Sequence, residues 1–221
     1  METATFTLRE LFQLGGVVMW PLLFFSIAAV AITLERAVYF AWHNLRIYDL
    51  QTKVLSYVKQ NDYHGAVEYL SGLTKRRMGA RIILAMIKSL ETGHLFSESR
   101  AERSAETEAT NCINSLENGL NFLTVLGSLS PLTGFLGTVT GMIGAFRAIA
   151  EATEVNAQIV AGGIYEALIT TVFGLVVAIV AMISHSIFSH IVDKFTARIE
   201  AACSELIICM AEQNESKQAA K

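Results

Sequence analysis

The stretch "PLTGFLGTVTGMIGAF", Pro131 to Phe146, holds four glycines, three threonines and a proline, yet no charged residue. It is too apolar for a surface loop and too poor in helix formers for an ordinary soluble helix. It lies inside a longer run of 29 residues between Glu117 and Arg147 that has no Asp, Glu, Lys or Arg. Two similar runs exist, 24 residues between Glu10 and Glu35 and 26 between Glu166 and Asp193. Each exceeds the roughly 20 residues that cross a hydrocarbon core about 30 Å thick. The chain of 221 residues, 52% hydrophobic and 17% charged, is therefore expected to be an all-α membrane protein with three spans, because an open strand edge finds no partner in lipid.

The spans are expected at 18–40, 120–149 and 163–188. The first run lacks a basic start and a small-residue cleavage site, so it reads as a retained span rather than a secretory leader. Before it, residues 1–17 read as an amphipathic outside segment: "TFTLRELFQLGG" has a capping box at Thr7 and Glu10, and Gly15 and Gly16 let the chain turn inward. Residues 41–119 form a polar helical region with breaks at "QNDYHG" and "ETGHLFSES". No proline stands between Glu98 and Pro131, so one continuous helix is expected from Glu98 to about Ala150, near 75 Å long at about 1.5 Å per residue. Its first part, "AERSAETEATNCINSLENGLNFL", is good helix composition apart from Gly119. Residues 150–162 are a short outside connection, 189–212 a helix and 213–221 a disordered polar tail. On the 189–212 helix and the turn before it, Phe188, Ile191, Phe195, Ile199, Ala202, Leu206 and Cys209 recur at steps of three and four, an apolar stripe suited to a helical bundle.

Of 17 basic residues, 11 fall from Arg36 at the exit of the first span to Arg103 and four follow the third, leaving Arg9 and Arg147 for the other side. The positive-inside rule then places the N-terminus outside and the C-terminus in the cytoplasm. Net charge is −3, which gives no case for nucleic acid. Cys112, Cys203 and Cys209 have no metal-ligand spacing and read as reduced structural thiols. No nucleophile elbow, phosphate loop or HExxH occurs, so neither an enzyme nor a cofactor is expected.

On a helical wheel Gly127, Ser130, Gly134, Gly137, Gly141 and Gly144 fall on one side of the second span, with Thr138 at its margin. The third span offers a matching face of Ala167, Thr171, Gly174, Ala178, Ala181 and His185, with Thr170 beside it. Its opposite side is bulky: Leu168, Ile169, Val172, Leu175, Val176, Ile179 and Ile183. Span one carries only Ser26, Ala29 and Thr33 as small residues and reads as peripheral. Faces without side chains let helices approach closely where lipid supplies no hydrophobic drive. Thr138 and Thr171 each sit eight residues inside the outer boundary, about 12 Å at helical rise, so they are expected at one depth. The bland alternative is that each hydroxyl bonds its own backbone one turn back. Glu166 lies one turn inside that boundary, where a carboxylate marks an ion path, snorkels to the surface or pairs with Arg147. No span has a charged group at mid-depth, so a proton path needs a carboxylate from elsewhere.

Taken together, "SPLTGFLGTVTGMIGAF", "GGIYEALITTVFGLVVAI" and the exit "ITLERAVYF" resemble the spans of the MotA/TolQ/ExbB proton-channel family, in its three-span ExbB and TolQ branch. The resemblance implies a pentameric ring in the bacterial inner membrane. It also implies single-span partners of the ExbD or TolR kind, whose aspartate meets Thr138 and Thr171, with Glu166 and Pro131 at the family's glutamate and proline positions. Ring assembly and helix packing would fall to Gly127, Pro131, Gly134, Gly137, Gly141, Gly144, Gly174 and Ala178. Two departures stand out: Val180 occupies a place often held by proline, and His185 and Ser186 replace a Tyr-Asn pair.

The expected function is an ExbB-like stator that uses the proton motive force to energise TonB-dependent transport through a TonB-like transducer. A TolQ-like role in envelope integrity and division, working through a TolA-like transducer, is the alternative. A non-conducting scaffold is another, and it leaves Glu166 and the level threonines unexplained.

Overall fold

The computed structural model describes Phe12 and residues 15–91, 97–152 and 157–219, with the side chains of 91, 157–160 and 217–219 left aside. Within them the chain is helical: α1 (Met19–Trp42), α2 (Tyr48–Lys59), α3 (Tyr63–Leu73), α4 (Met78–Glu91), α5 (Glu98–Glu117), α6 (Leu120–Glu151) and α7 (Ala157–Ala219). Three stretches are long and apolar enough to cross a membrane, in Met19–Trp42, Glu98–Glu151 and Ala161–Ser216. The amphipathic segment and capping box expected before residue 12 lie outside the described residues.

The chain divides into two compact units, one of residues 1–35 and 119–187, the other of 36–118 and 188–221. In the apolar unit α6 lies on α7, and α1 joins α7 through Met19, Leu22 and Ile169, with Phe25 and Phe173 packed around them. Leu168, Val172, Leu175, Val176, Ile179 and Ile183 are all about half exposed, as lipid-facing side chains should be. Ile169, expected among them, is buried against α1 instead.

The polar unit has a core of its own. Leu50, Val54 and Val58 from α2, Leu70 from α3, Ile82, Ile83, Met86 and Ile87 from α4 and Leu116 from α5 are fully buried. The break expected at "QNDYHG" is there: Asn61 turns the chain at φ 61, and Asp62 caps α3 by accepting a bond from the Gly65 amide at 2.9 Å. The α7 stripe buries Phe188, Phe195, Ile199, Ala202 and Leu206 as expected. It takes Val192 and Met210 in place of Ile191 and Cys209. At about 100° per residue, steps of four and 22 from Phe188 miss its direction by roughly 40°, whereas steps of three and 21 miss by roughly 60°.

Two expectations are corrected here. The helix from Glu98 to Ala150 is interrupted: α5 ends at Glu117, Asn118 is extended and Gly119 is left-handed at φ 86. Glycine is the residue that takes that conformation without a Cβ penalty. The tail from 213, expected to be disordered, is helical through Ala219. Its Gln, Glu, Lys and Ala residues favour helix and no Gly or Pro stops it, and the Tyr63 hydroxyl donates to Gln213 at 3.4 Å.

The broken helix leaves carbonyls at the end of α5 without helical donors. Arg36, only 7% exposed at the end of the "TLER" exit, donates to the Ser115 carbonyl at 3.4 Å and lies over the Tyr39 ring at 4.9 Å. A cation at a helix C-terminus is favourable.

Candidate functional site

The small-residue faces meet within one chain. A Cβ on Gly134 would stand 2.9 Å from the Thr170 carbonyl oxygen and 3.1 Å from the Thr171 Cα. One on Gly174 would stand 2.5 Å from the Ser130 carbonyl oxygen and 3.1 Å from the Gly134 Cα. Gly141 and Gly163 repeat the arrangement further along, with Ala167 and Ala145 as neighbours. The α6 groove, read from sequence as serving helix packing and ring assembly, thus seats α7 of the same chain. Gly127, Gly134, Gly137, Gly141, Gly174 and Ala178 are all buried in it, with Met182 reaching over Gly127. Gly144 stands apart, exposed and with open space where a Cβ would stand. Pro131 is half buried inside α6, at the edge of the groove.

Close approach brings hydroxyls onto the facing backbone. Thr171 Oγ1 donates to the Gly134 carbonyl at 3.1 Å and is 3.5 Å from its own Ala167 carbonyl. Thr170, 1% exposed, fills the space over Gly137 and donates to Ala167 O at 2.8 Å, with Gly134 O at 3.4 Å. Sequence reasoning set Thr170 beside the face; its place at the centre follows from which glycine faces it, which a single wheel does not show. Thr138 is half buried and bonds its own turn, at Phe135 O, 2.6 Å away. Thr133 and Thr140 bond their own backbone as well.

The register corrects the expected depth. Thr171 is level with Gly134, and Gly134 is four residues from Thr138, about 6 Å at helical rise. The two threonines therefore stand about one turn apart. The outer boundary used to level them was taken from charge alone, and charge does not fix the register of two antiparallel helices.

Glu166 is half buried on α7, one residue before Ala167. Arg147 does not reach it: the guanidinium donates to Glu151 at 2.9 Å, four residues on along its own helix and in an exposed position. That i,i+4 partner is nearer and needs no desolvation. Glu166 instead lies against the turn before α1, where a Cβ on Gly16 would collide with its carboxylate, and Gly16 is left-handed at φ 65. The double glycine at 15–16 was the signal in the sequence, read there only as a bend. Val180 is 42% exposed and His185 half buried, so neither departure disturbs the α6 groove.

Residues 75–201, more than half the chain, match the MotA/TolQ/ExbB proton channel family. The chain belongs to that family. Among relatives of the MotA/TolQ/ExbB family, it is 36% identical over 194 residues to the ExbB-like 3 protein of Synechocystis sp., covering 87% of this chain and 90% of that one. It is 28% identical over 196 residues to biopolymer transport protein exbB1 of Vibrio cholerae, covering 88% of this chain and 84% of that one. A shorter stretch of 95 residues, 38% of this chain and 42% of the relative, is 46% identical to the Tol-Pal system protein TolQ of Haemophilus influenzae. These relatives set it in the ExbB/TolQ branch, and with its three apolar helices they make it a multi-pass membrane protein of a proton-channel family engaged in energy transduction.

Proposed function

We propose that the chain is an ExbB-like proton-channel subunit of the bacterial inner membrane, with its N-terminus in the periplasm and its C-terminus in the cytoplasm. It works as a ring, a pentamer in this reading, around a single-span partner of the ExbD or TolR kind. It energises TonB-dependent transport through a TonB-like transducer. The observation that carries the reading is chemical. Thr170 and Thr171 bring hydroxyls to the contact between α6 and α7, while no span has a carboxylate at mid-depth. Hydroxyls exchange hydrogen bonds with a carboxyl group but cannot carry net charge through hydrocarbon, so the titrating acid belongs to a partner. Thr138, Thr171 and Glu166 are proposed to face that acid along the proton path.

Support for the ExbB over the TolQ reading comes from the extent of likeness, 90% and 84% of two ExbB-named relatives. The 46% identity of the shorter TolQ match favours the second reading, a Tol-type role with a TolA-like transducer.

The test is co-expression with a single-span protein of the ExbD or TolR kind. The expected result is a purified complex that passes protons in liposomes and stops doing so when the partner's span aspartate is changed to asparagine. A chain that purifies alone, or a complex indifferent to that change, overturns the reading.

A further inference from the structure

Within the polar unit, α5 carries charge of both signs, sorted by direction. Glu98, Glu102 and Glu106 follow one another at steps of four and are exposed, a spacing at which like charges repel and weaken a helix. They edge a hollow of about 470 Å³ between α5 and α7, with Glu200 on its α7 side. Its floor is apolar, built from Ala105, Ala109 and Ile113 of α5 with Cys203 and Ile207 of α7. Four carboxylates and, among the described residues, no cation line it.

On the same stretch of α5, Arg100 and Arg103 are exposed beside a second hollow that Ala85 and Ser89 of α4 line with them. The acid on that side, Glu108, is held by Arg81 at 2.6 Å. Among the described residues no ion pair joins Arg100 or Arg103 to a carboxylate, nor any of the four glutamates to a cation. At about 100° per residue the mean directions of the acidic and basic sets on α5 lie about 130° apart.

This sorting decides how copies of the chain can meet. Copies set in one membrane in one orientation are related by rotation about the membrane normal, which keeps every residue at its own height. The glutamates at 98–106 of one copy therefore come level with Arg100 and Arg103 of the next. A two-fold contact through the hollow would set glutamates against glutamates; a head-to-tail contact sets them against arginines and closes into a ring if successive copies turn. Faces about 130° apart, rather than opposite, supply that turn. A ring also needs a surface other than the α6 groove, which α7 of the same chain fills.

We propose that the acid-edged groove between α5 and α7 receives Arg100 and Arg103 from a second copy of this chain. The contact rests on the ring reading above and gives the ring a charge-dependent seam in the polar units. The apolar stems of the arginines cover Ala105 and Ala109, where small side chains leave room, while their guanidinium groups donate paired hydrogen bonds to the carboxylates.

Light scattering of the full chain in mild detergent follows the mass of the assembly on dilution. Arg100→Glu with Arg103→Glu reverses one face; Glu102→Lys, Glu106→Lys and Glu200→Lys together reverse the other. Either set should raise the concentration of half-dissociation about tenfold or more, because like charges then meet. Both sets in one chain bring opposite signs together again and should recover most of the loss, which a misfolded variant could not do. Lys53→Glu with Lys59→Glu, on α2, changes as much charge elsewhere and should leave the assembly as it was. A wild-type chain that stays single at every concentration overturns the ring reading and this contact together. A wild-type assembly that neither reversal weakens overturns the contact alone and leaves the groove to a basic segment of another protein. Weakening without recovery in the combined variant, or equal weakening by the α2 control, also overturns the contact.

Discussion

The Thr171 hydroxyl donates to the Gly134 carbonyl across the contact of α6 and α7, 3.1 Å away, whereas the Thr138 hydroxyl bonds within its own helix. Both are proposed proton-path residues, yet they differ in what they hold together. Thr171→Val should lower stability in detergent by about 0.5–1.5 kcal/mol, and Thr138→Val by less. If the proton-site reading is right, each Val variant loses flux, each Ser variant keeps more, and Thr133→Val and Thr140→Val change nothing. Wild-type flux in the Thr138→Val, Thr171→Val double variant would show that both are packing residues only.

At Gly174 a Cβ would press on the Ser130 carbonyl and the Gly134 Cα, and backbone cannot swing aside as a side chain can. Gly174→Ala should therefore cost about 1–3 kcal/mol as an overpacked contact. Gly144→Ala, with open space around it, should be neutral or gain up to about 1 kcal/mol from helix propensity. Thermal unfolding in detergent compares them; equal melting temperatures would contradict the packing of α6 on α7.

Gly16 is constrained twice, by φ 65 and by the Glu166 carboxylate. Gly16→Ala should destabilise by about 1–2 kcal/mol from backbone conformation alone, plus the contact with Glu166. Pairing it with Glu166→Ala should recover part of the loss. A double-mutant cycle in thermal unfolding measures this, and strict additivity would mean that the two residues do not touch.

Burial, helped by the nearby Glu200 charge, pushes the Cys203 thiol from 9.0 up to about 12. A thiol held neutral in the folded chain favours folding less once the unfolded chain can ionise. Its contribution is therefore complete below pH 9 and falls progressively as pH rises toward about 12. Wild type should lose stability over that window more steeply than Cys203→Ala, as read by unfolding at stepped pH. Parallel curves would place the thiol in water.

Much of this was legible in the sequence because charge and helical periodicity are one-dimensional signals. The three spans, the small face of α7, the Asp62 break and most of the stripe around Phe195 follow from them directly. Whatever depends on a second element did not. A wheel cannot say whether the partner of Gly134 is α7 of the same chain or a neighbouring copy, nor whether Thr138 or Gly134 is level with Thr171. The break at Gly119 was visible as composition, but a helix can also carry a glycine at a cost of about 1 kcal/mol. Its left-handed turn is settled by the bonds around it, including Arg36 on Ser115.

Of the three places where the chain passes between its two units, two lie within a helix and one does not. α1 runs through Glu35–Arg36 and α7 through Ile187–Phe188 as unbroken helix, whereas Asn118 and Gly119 leave helical geometry altogether. A continuous ladder of hydrogen bonds resists torsion along its axis, and a glycine turn does not. The cost of a Cβ falls on the crossing at Gly119 alone, while Glu35–Arg36 and Ile187–Phe188 accept any residue that a helix tolerates.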